Sequence, residues 1–298
     1  MFSIEVNHIF KTYGNRTAVD DVSFDVNQGE IFGLIGPNGA GKTTTIRMMM
    51  DIIKPDSGNI KVMGEKLNDA SKNNIGYLPE ERGLYKKMSV MDTIIYFASL
   101  KGIDGQLARE RGEELLKRAD LLPHRHKRIE ELSRGMSQLI QVIITVIHEP
   151  DLIILDEPFS GLDPVNTQLL KDLIRDLKNK GKTIIMSTHL MNDIEELCDR
   201  LLMINKGRAV LYGSLTEVKS KYRNNAVLVE TAGEVGTIEG VTEHRPLNGA
   251  VELKLDANTT PQMLLERLIK KGIVVNRFEL STPSLTEIFI KVVGDEHE

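Results

Sequence analysis

The sequence predicts an α/β fold in which a parallel sheet lies between helices, followed by a smaller α+β domain. Three nearly continuous apolar runs, IFGLIG, DLIILD and KTIIMST, are typical of strands buried on both faces of a parallel sheet. Helical patterns lie between these runs; in residues 166–180, for example, the leucines share one face. Strands and helices therefore alternate, as they do around a parallel core.

The edges of this core have a different pattern. Near the N-terminus, SIEVNHI and VSFDV alternate apolar and polar residues, which predicts antiparallel strands, and SGNIKVMG predicts a further edge strand. Residues from about 90 to 148 are mostly helical in pattern, with a break near 102–105. We therefore expect an antiparallel β subdomain and a helical insertion at about 90–148 within a first domain of residues 1–215.

The pattern changes again after Tyr222. AVLVE, VELKL and IVVNRFEL predict strands, and TPQMLLERLIKKG and PSLTEIFIKVV predict helices. The polar stretch SLTEVKSKYRNN before them is typical of a linker. These features predict a small α+β accessory domain over residues 222–298, and its sequence contains no catalytic constellation.

The composition restricts the class of protein. The chain of 298 residues is 41% hydrophobic and 27% charged, which suits a globular protein with a real core. Its formal net charge of -5 argues against non-specific binding to nucleic acid. The one cysteine, Cys198, fits a buried thiol in a reducing compartment. No signal peptide and no run of ~20 apolar residues is apparent, so we expect a protein that serves a membrane, if at all, from outside the bilayer.

A phosphate-binding pattern, G-x-x-x-x-G-K-[ST], is matched by GPNGAGKT (36–43), between a predicted buried strand and a predicted helix. Its glycines let backbone N–H groups point at phosphate oxygens, and the helix N-terminus adds partial positive charge. Lys42 would reach the β- and γ-phosphates, Thr43 would ligate Mg²⁺ and Thr44 would contact the α-phosphate. The residues expected to bind this nucleotide are Gly36, Pro37, Asn38, Gly39, Ala40, Gly41, Lys42, Thr43 and Thr44.

Two adjacent acids, Asp156 and Glu157, stand at the carboxyl end of the predicted strand in DLIILDEP. Ligands of open α/β sheets bind at that edge. Because adjacent residues of a strand point to opposite faces, we expect different roles for the two acids. Asp156 would hold Mg²⁺ through a water molecule, and Glu157 would orient and deprotonate an attacking water.

These motifs and three others occur in the order found in a known family. KTYGNRTAVDDVSF, GPNGAGKTT, LSRGMSQ, DLIILDEP, SGLDP and TIIMSTH together resemble the nucleotide-binding subunits of ABC transporters, over residues 1 to about 215. The resemblance implies a P-loop (RecA-like) ATPase core that binds and hydrolyses ATP with Mg²⁺. It also implies that Tyr13 stacks on adenine, that Asp163 lies at a dimer interface, and that His189 contacts the γ-phosphate.

The LSRGMSQ segment implies a second chain. It resembles the family signature, usually LSGGQ, but Arg134 and Met136 depart from that pattern. Ser133 and Gly135 keep a hydroxyl and an unobstructed backbone N–H at a helix start. They would bind the nucleotide held by the other protomer of a head-to-tail dimer, either a homodimer or a pair with another ATPase subunit. Arg134 would point away from the nucleotide or add a cation near the γ-phosphate.

Another departure is Glu80 in YLPEER, where the family normally carries glutamine. Glutamine can ligate Mg²⁺ and hydrogen-bond the attacking water while staying neutral. Glutamate could ligate Mg²⁺ more strongly, but it adds negative charge beside the phosphates. We expect Glu80 to be a metal ligand together with Thr43 and Asp156, and a role in coupling to a partner stays open.

A finer resemblance points to a transporter branch. YLPEERGLY, the RGM signature and SLTEIFI resemble the single-domain ATPase subunits of bacterial sodium, drug and peptide-antibiotic exporters. This implies a separate membrane permease that holds the chain on the inner, cytoplasmic face of the membrane. The accessory domain would be regulatory, dimer-stabilising or merely structural. The residues expected to contact the permease are Glu81, Leu84, Tyr85, Met91, Tyr96 and Phe97.

The sequence also differs from two other classes of P-loop protein. Soluble ABC ATPases of DNA repair or translation carry tandem ATPase domains, long coiled coils or zinc-binding cysteines. This chain has one ATPase domain, one cysteine and no heptad run, so no nucleic-acid partner is expected. A P-loop kinase would lack the signature and His189.

Overall fold

The computed structural model of the chain describes residues 2–81, 83–223, 225–233, 235–247 and 249–294. The chain divides into two compact units, Met1–Leu215 and Thr216–Glu298. Within the described residues, no helix combines the length and the apolarity that crossing a bilayer requires.

The first unit mixes strands and helices. Its strands are β1 (Phe2–Tyr13), β2 (Arg16–Asn27), β3 (Ile31–Ile35), β4 (Ser57–Val62), β5 (Ile75–Leu78), β6 (Leu152–Asp156), β7 (Thr183–Thr188), β8 (Arg200–Asn205) and β9 (Arg208–Ser214). Its helices are α1 (Lys42–Met49), α2 (Asp69–Lys72), α3 (Val90–Ser99), α4 (Gly105–Arg118), α5 (Arg134–Val146), α6 (Pro164–Asn179) and α7 (Met191–Leu197), with short 3-10 turns at Leu122–His124 and Ile129–Glu131.

The larger sheet positions the site. Its strand order is β5-β6-β7-β3-β8-β9, and all neighbours are parallel except β8 and β9. Every residue of β3, β6 and β7 is buried, in keeping with their continuous apolar runs. At Gly33 of β3 a Cβ would lie 2.6 Å from Ile194 Cδ1, so glycine allows α7 to pack closely there. The carboxyl ends of β3, β6 and β7 meet at one edge, where three functional loops begin.

The smaller sheet, of order β2-β1-β4, is antiparallel, as the alternating N-terminal segments predict. Phe24 of β2 stacks on Phe32 of β3 with ring centroids 5.5 Å apart. The two sheets therefore share one aliphatic and aromatic core.

The insertion consists of α3, α4 and α5. A Cβ at Gly112 of α4 would lie 3.0 Å from Ile94 Cγ2 and 3.5 Å from Met91 Sδ, so glycine lets α3 and α4 approach closely. Met91 is only 2% exposed. Its predicted place in a permease contact is therefore wrong, because its side chain belongs to the core of the insertion.

Helix α8 (Leu215–Lys221) begins at the last residue of the first unit. It is followed in the second unit by β10 (Ala226–Thr231), β11 (Val241–Leu247), β12 (Ala250–Leu255), α9 (Pro261–Lys270), β13 (Val275–Leu280) and α10 (Leu285–Gly294). The strands pair antiparallel in the order β11-β12-β10-β13. Leu264 and Leu268 of α9 share a buried cluster with Val227, Val229 and Leu253 of the sheet.

Two elements of this region differ from the prediction. Helix α8 occupies most of the stretch predicted as a linker, and Val218 is its buried side chain. Strand β11 was not predicted, because its sequence VTEHRPL lacks apolar alternation. It lies at the sheet edge with six of its seven residues exposed, so no buried face imposes that alternation.

Candidate active site

The phosphate loop joins the end of β3 to the start of α1. Gly36 has φ 152° and Gly41 has φ 114°, conformations that side-chain-bearing residues rarely adopt. A Cβ at Gly36 would overlap the carbonyl oxygen of Ile204, and one at Gly41 would lie 2.5 Å from the carbonyl oxygen of Ala18. The loop is thus wedged between β2 and the end of β8, and glycine is required at both positions.

Lys42 lies across this loop. Its ammonium donates to the carbonyl oxygens of Gly36 at 2.8 Å and Pro37 at 3.4 Å, and it is 3.4 Å from Glu157 Oε1. The residue is only 6% exposed. A buried cation inside a loop of backbone amides is the arrangement that binds a polyphosphate.

The three residues predicted as metal ligands converge. The Thr43 hydroxyl oxygen lies 3.3 Å from Asp156 Oδ1 and 3.4 Å from Glu80 Oε2, so the two carboxylates share its one hydrogen. The Ser187 hydroxyl also donates to Asp156 Oδ1. Glu80, from the loop after β5, therefore faces the same point as Thr43 and Asp156.

The surroundings of Asp156 show whether these residues fit a bound cation. The residue is fully buried, and its Oδ2 has no hydrogen-bond partner within the described residues. Burial raises the pKa of Asp156, and the negative charges of Glu80 and Glu157 raise it further, against the hydrogen bonds from Ser187 and Thr43. An unpartnered carboxylate oxygen beside a hydroxyl and a second carboxylate fits a hard divalent cation. Among the described residues, no cluster of three or more His, Cys, Asp or Glu side chains is present.

Glu157 takes its position from a turn. Strand β6 ends at Asp156, and Glu157 has φ 50°, the left-handed region. Its N–H donates to the Ser187 carbonyl at 3.2 Å and the Ser187 hydroxyl at 3.0 Å, which holds the turn. Glu157 therefore lies beyond the strand, and the strand alternation predicted to separate it from Asp156 is wrong, although the two carboxylates do face different partners.

Glu157 and His189 form a pair. His189 follows the end of β7, and its Nδ1 lies 2.9 Å from Glu157 Oε2. Since a carboxylate accepts, Nδ1 carries the hydrogen in this geometry. The neutral ring then presents Nε2 as an acceptor, whereas the protonated ring presents it as a donor. The Glu157 carboxylate is thus bounded by Lys42 on one oxygen and by His189 on the other.

The signature residues make a separate group. Ser133 is the N-cap of α5, and its hydroxyl accepts from the Met136 N–H at 3.1 Å. A Cβ at Gly135 would lie 2.9 Å from the side-chain nitrogen of Asn166, which donates to Asp163 Oδ2 at 2.5 Å. The Asn166 backbone N–H holds the pKa of Asp163 below its usual value. Asn166 therefore links the signature to the Asp163 loop within one chain, and sequence reasoning missed it.

No hydrogen bond or ion pair among the described residues joins the side chain of Ser133 to Lys42, Asp156 or Glu157. Ser133 caps its own helix, and the nearest neighbours of a Cβ at Gly135 would be Asn166 and Leu162. Arg134 is exposed at the first position of α5.

Tyr13 lies on the β1–β2 hairpin, paired with Arg16. The ring is 51% exposed, and Lys11 Nζ is 5.7 Å from its centroid. Arg16, which the sequence did not single out, donates from Nη2 to the Gly39 carbonyl at 3.2 Å. The hairpin that carries Tyr13 is thus fixed to the phosphate loop.

A cavity of about 380 Å³ lies between β5 and the insertion, next to the loop that carries Glu80. Gln141 Oε1 and His148 Nδ1 have no hydrogen-bond partner among the described residues, and both side chains line this cavity. Burial and the nearby charge of Lys101 lower the pKa of His148 to about 4. The rings of Tyr85, Tyr96 and Phe97 form a cluster with centroids 5.4–6.3 Å apart, and Phe97 lines the cavity.

Two protein families match the sequence, one within each of the two structural units or nearly so. Residues 19–160 match the ABC transporter family, and residues 213–293 match the C-terminal domain of DrrA1-3-like ATP-binding proteins.

Relatives that match over nearly their whole length are named as ATP-binding proteins. The uncharacterized ABC transporter ATP-binding protein YhaQ of Bacillus subtilis (strain 168) is 41% identical over 99% of this chain and 100% of its own length. The linearmycin resistance ATP-binding protein LnrL of the same organism is 30% identical, with 98% of each chain covered. The Nod factor export ATP-binding protein I of Burkholderia orbicola (strain AU 1054) is 31% identical over 98% of this chain and 97% of its own.

A solved structure of an ATP-binding subunit of an ABC transporter superposes with a TM-score of 0.68 and is 30% identical, over 74% of this chain and 92% of that one. The predicted fold class, a P-loop (RecA-like) ATPase core, is therefore confirmed. With a relative 41% identical over essentially the whole chain, this protein belongs to the ATP-binding subunits of ABC transporters, which are ATPases coupled to transport.

Proposed function

We propose that this chain powers a separate membrane permease of an exporter by ATP-driven closure of a two-chain dimer. The observation that carries this proposal is the division of the site. Lys42, Asp156 and Glu157 converge within one chain, whereas Ser133 and Gly135 stand at the start of α5, where Ser133 is exposed and Gly135 lies against Asn166. A nucleotide bound at the first group needs a second protomer to meet the second group.

The chain's own residues would divide the work of hydrolysis. The loop amides and Lys42 bind the phosphates, and Tyr13 stacks on adenine. Mg²⁺, held by Thr43, Asp156 and Glu80, would neutralise phosphate charge.

Glu157 accepts a proton from the attacking water, and its contacts with Lys42 and His189 affect that step. Phosphate oxygens at Lys42 draw its ammonium away from Glu157 Oε1, which leaves that oxygen available to water. His189 holds the other carboxylate oxygen and presents Nε2 toward the γ-phosphate or the water.

The second chain would supply the remaining contacts. Ser133 and Gly135 offer a hydroxyl and an N–H at the N-terminus of α5, where the helix dipole favours an anion. Asp163 would lie beside them at the interface, held by Asn166.

The cavity beside Glu80 would receive a cytoplasmic segment of the permease. Its aromatic cluster is partly exposed, since Tyr85 is 53% and Tyr96 is 38% accessible. Phe97 lines the cavity, and the exposed rings of Tyr85 and Tyr96 pack against Phe97. Exposed aromatic rings are favourable anchors for a partner. Glu81, Leu84, Tyr85, Tyr96 and Phe97 remain the proposed contacts, without Met91. Export, rather than import, is supported by relatives whose names include linearmycin resistance and Nod factor export.

The test uses the chain with the membrane protein encoded beside it. Tyr96→Glu should abolish co-purification of the two proteins, while ATP hydrolysis by the isolated chain stays within about twofold. Leu107→Glu, at an exposed leucine of α4 that belongs neither to the cavity lining nor to the aromatic cluster, is the matched control and should leave co-purification intact. In inside-out vesicles, ATP should then drive accumulation of the cargo within the vesicles. If the two proteins still co-purify in the Tyr96→Glu variant, the proposed docking site is wrong. If ATP drives loss of cargo from the vesicles, the proposed direction of transport is wrong.

A further inference from the structure

A buried lysine of α6, Lys171, has no role in the hydrolysis scheme above. It is only 8% exposed, and a lysine is rarely so buried unless it is paired. Its ammonium is 2.9 Å from Asp193 Oδ1, donates to Glu196 Oε2, and lies 5.9 Å from the ring centroid of Phe159. One cation therefore joins α6, α7 and the loop that follows β6.

Each of these elements carries a residue of the proposed site. Asp193 lies on α7, one helical turn after His189 in the sequence. Phe159 is two residues after Glu157. Helix α6 itself begins at its N-cap Asp163, about two turns before Lys171.

The two carboxylates that pair with Lys171 differ in how many cations they contact. Glu196 has a second cation, since Arg175 also pairs with it. Asp193 is 6% exposed, and its Oδ2 has no hydrogen-bond partner among the described residues. Removing Lys171 would therefore leave Asp193, rather than Glu196, as a buried carboxylate without compensation, which is strongly unfavourable. Helix α7 would have to shift to expose that charge.

We propose that Lys171 is a positioning residue for ATP hydrolysis, which fixes His189 relative to Glu157 by tying α7 to α6. Because α6 begins at the interface acid Asp163, the same cation transmits movement of that interface to His189. This inference rests on the proposed function, in which His189 contacts the γ-phosphate or the attacking water.

The test is a double-mutant cycle on ATP hydrolysis by the intact chain. Lys171→Met should lower kcat about tenfold and leave KM within about twofold, because ATP binding does not use α7. In a His189→Ala background the same substitution should lower kcat by less than about twofold, since the residue through which it acts is already gone. Lys171→Arg should restore most of the lost rate.

Arg175→Met is the matched control. It removes the second cation of the same network but leaves Lys171 paired with Asp193. We expect kcat within about twofold of the unmodified chain, whatever its effect on the unfolding temperature.

Three results would overturn the inference. Equal losses of kcat in both backgrounds would mean that Lys171 only stabilises the fold, and an unchanged kcat in Lys171→Met would remove its role. If that variant does not fold, Asp193→Asn keeps the shape and loosens the same tether, and it must give the same background dependence. A His189→Ala chain with full activity would instead refute the role of His189, and the inference would fail with it.

Discussion

The two parts of the proposed composite site are held in opposite ways. Lys42, Asp156 and Glu157 are buried, and their charges are neutralised or hydrogen-bonded by groups of the same chain. Ser133 is exposed, and its hydroxyl caps its own helix. Gly135 is buried against Asn166 and contributes only backbone.

This difference assigns different tasks to the two parts. A buried, charged group is preorganised to bind phosphate and to accept a proton before any partner arrives. A helix start with a hydroxyl and an N–H has no proton-accepting group of suitable pKa, so it can bind charge but not activate water. Changes in the first part should therefore stop the chemistry and leave assembly intact, whereas changes in the second should weaken assembly and turnover together.

The largest effect is expected from Glu157→Gln. An amide cannot accept the proton of the attacking water, so turnover should fall by about 10²-fold or more. ATP binding should persist, because the substitution also frees Lys42 from its 3.4 Å pairing with Glu157. Phosphate release measures the first effect, and light scattering with ATP and Mg²⁺ should detect an accumulated dimer.

Glu149→Gln provides the control for that variant. Glu149 is exposed and pairs with Arg111, away from the site, so turnover should be unchanged. Undiminished hydrolysis by Glu157→Gln would show that Glu157 is not the general base. Lost hydrolysis without an ATP-dependent dimer would contradict the separation of the two parts.

Gly135→Ala tests the second part. The added methyl would lie 2.9 Å from the side-chain nitrogen of Asn166, so that amide must shift, which disturbs its hydrogen bond to Asp163. A shift of this kind at the interface should reduce turnover roughly tenfold, because small misplacements are costly in a closed site. ATP affinity of the monomer should be unchanged, and the ATP-dependent dimer should dissociate more easily.

Gly105→Ala of α4 is the matched control, since the nearest atom to its new methyl would be 4.0 Å away. It should leave turnover and dimerisation unchanged. A Gly135→Ala chain with normal dimerisation and a loss confined to hydrolysis would mean that the signature acts on chemistry directly.

The sequence predicts those features of this site that neighbouring residues determine, and it does not predict those that contacts from distant parts of the chain determine. The phosphate loop and Asp156 were predictable, because a glycine-rich turn after a buried strand has few available conformations. The positive φ of Glu157 was not, since the Ser187 backbone and hydroxyl that hold it come from another strand. The contact of Arg16 was not predictable for the same reason, because its hydrogen bond to Gly39 joins residues that no sequence motif connects.

The fold follows the same rule. Strands β3, β6 and β7 were predictable because burial on both faces leaves a continuous apolar run. Strand β11 was not, because it is exposed at a sheet edge and partner β12 supplies its backbone hydrogen bonds.

Glu80→Gln sharpens the comparison within the buried part. It removes a carboxylate that shares the Thr43 hydroxyl with Asp156 and keeps the shape of the side chain. The Mg²⁺ concentration that half-saturates MgATP binding should rise about fivefold, as expected for one charge a few ångströms away. Glu81→Gln, at the exposed neighbour, should leave that concentration unchanged. An unaltered Mg²⁺ requirement in Glu80→Gln would leave Glu80 with a coupling role alone.

The smallest effect is expected from Arg134. It is exposed at the first position of α5, and successive residues of a helix point about 100° apart, so its side chain diverges from the Gly135 N–H. Arg134→Ala, which keeps helix propensity, should change turnover by less than about twofold. Arg134→Gly recreates the usual family residue and separates helix stability from charge. A loss of about tenfold in both variants, diminishing at high salt, would instead make Arg134 a phosphate ligand of the second chain, because screening weakens an exposed ion pair but not a backbone contact.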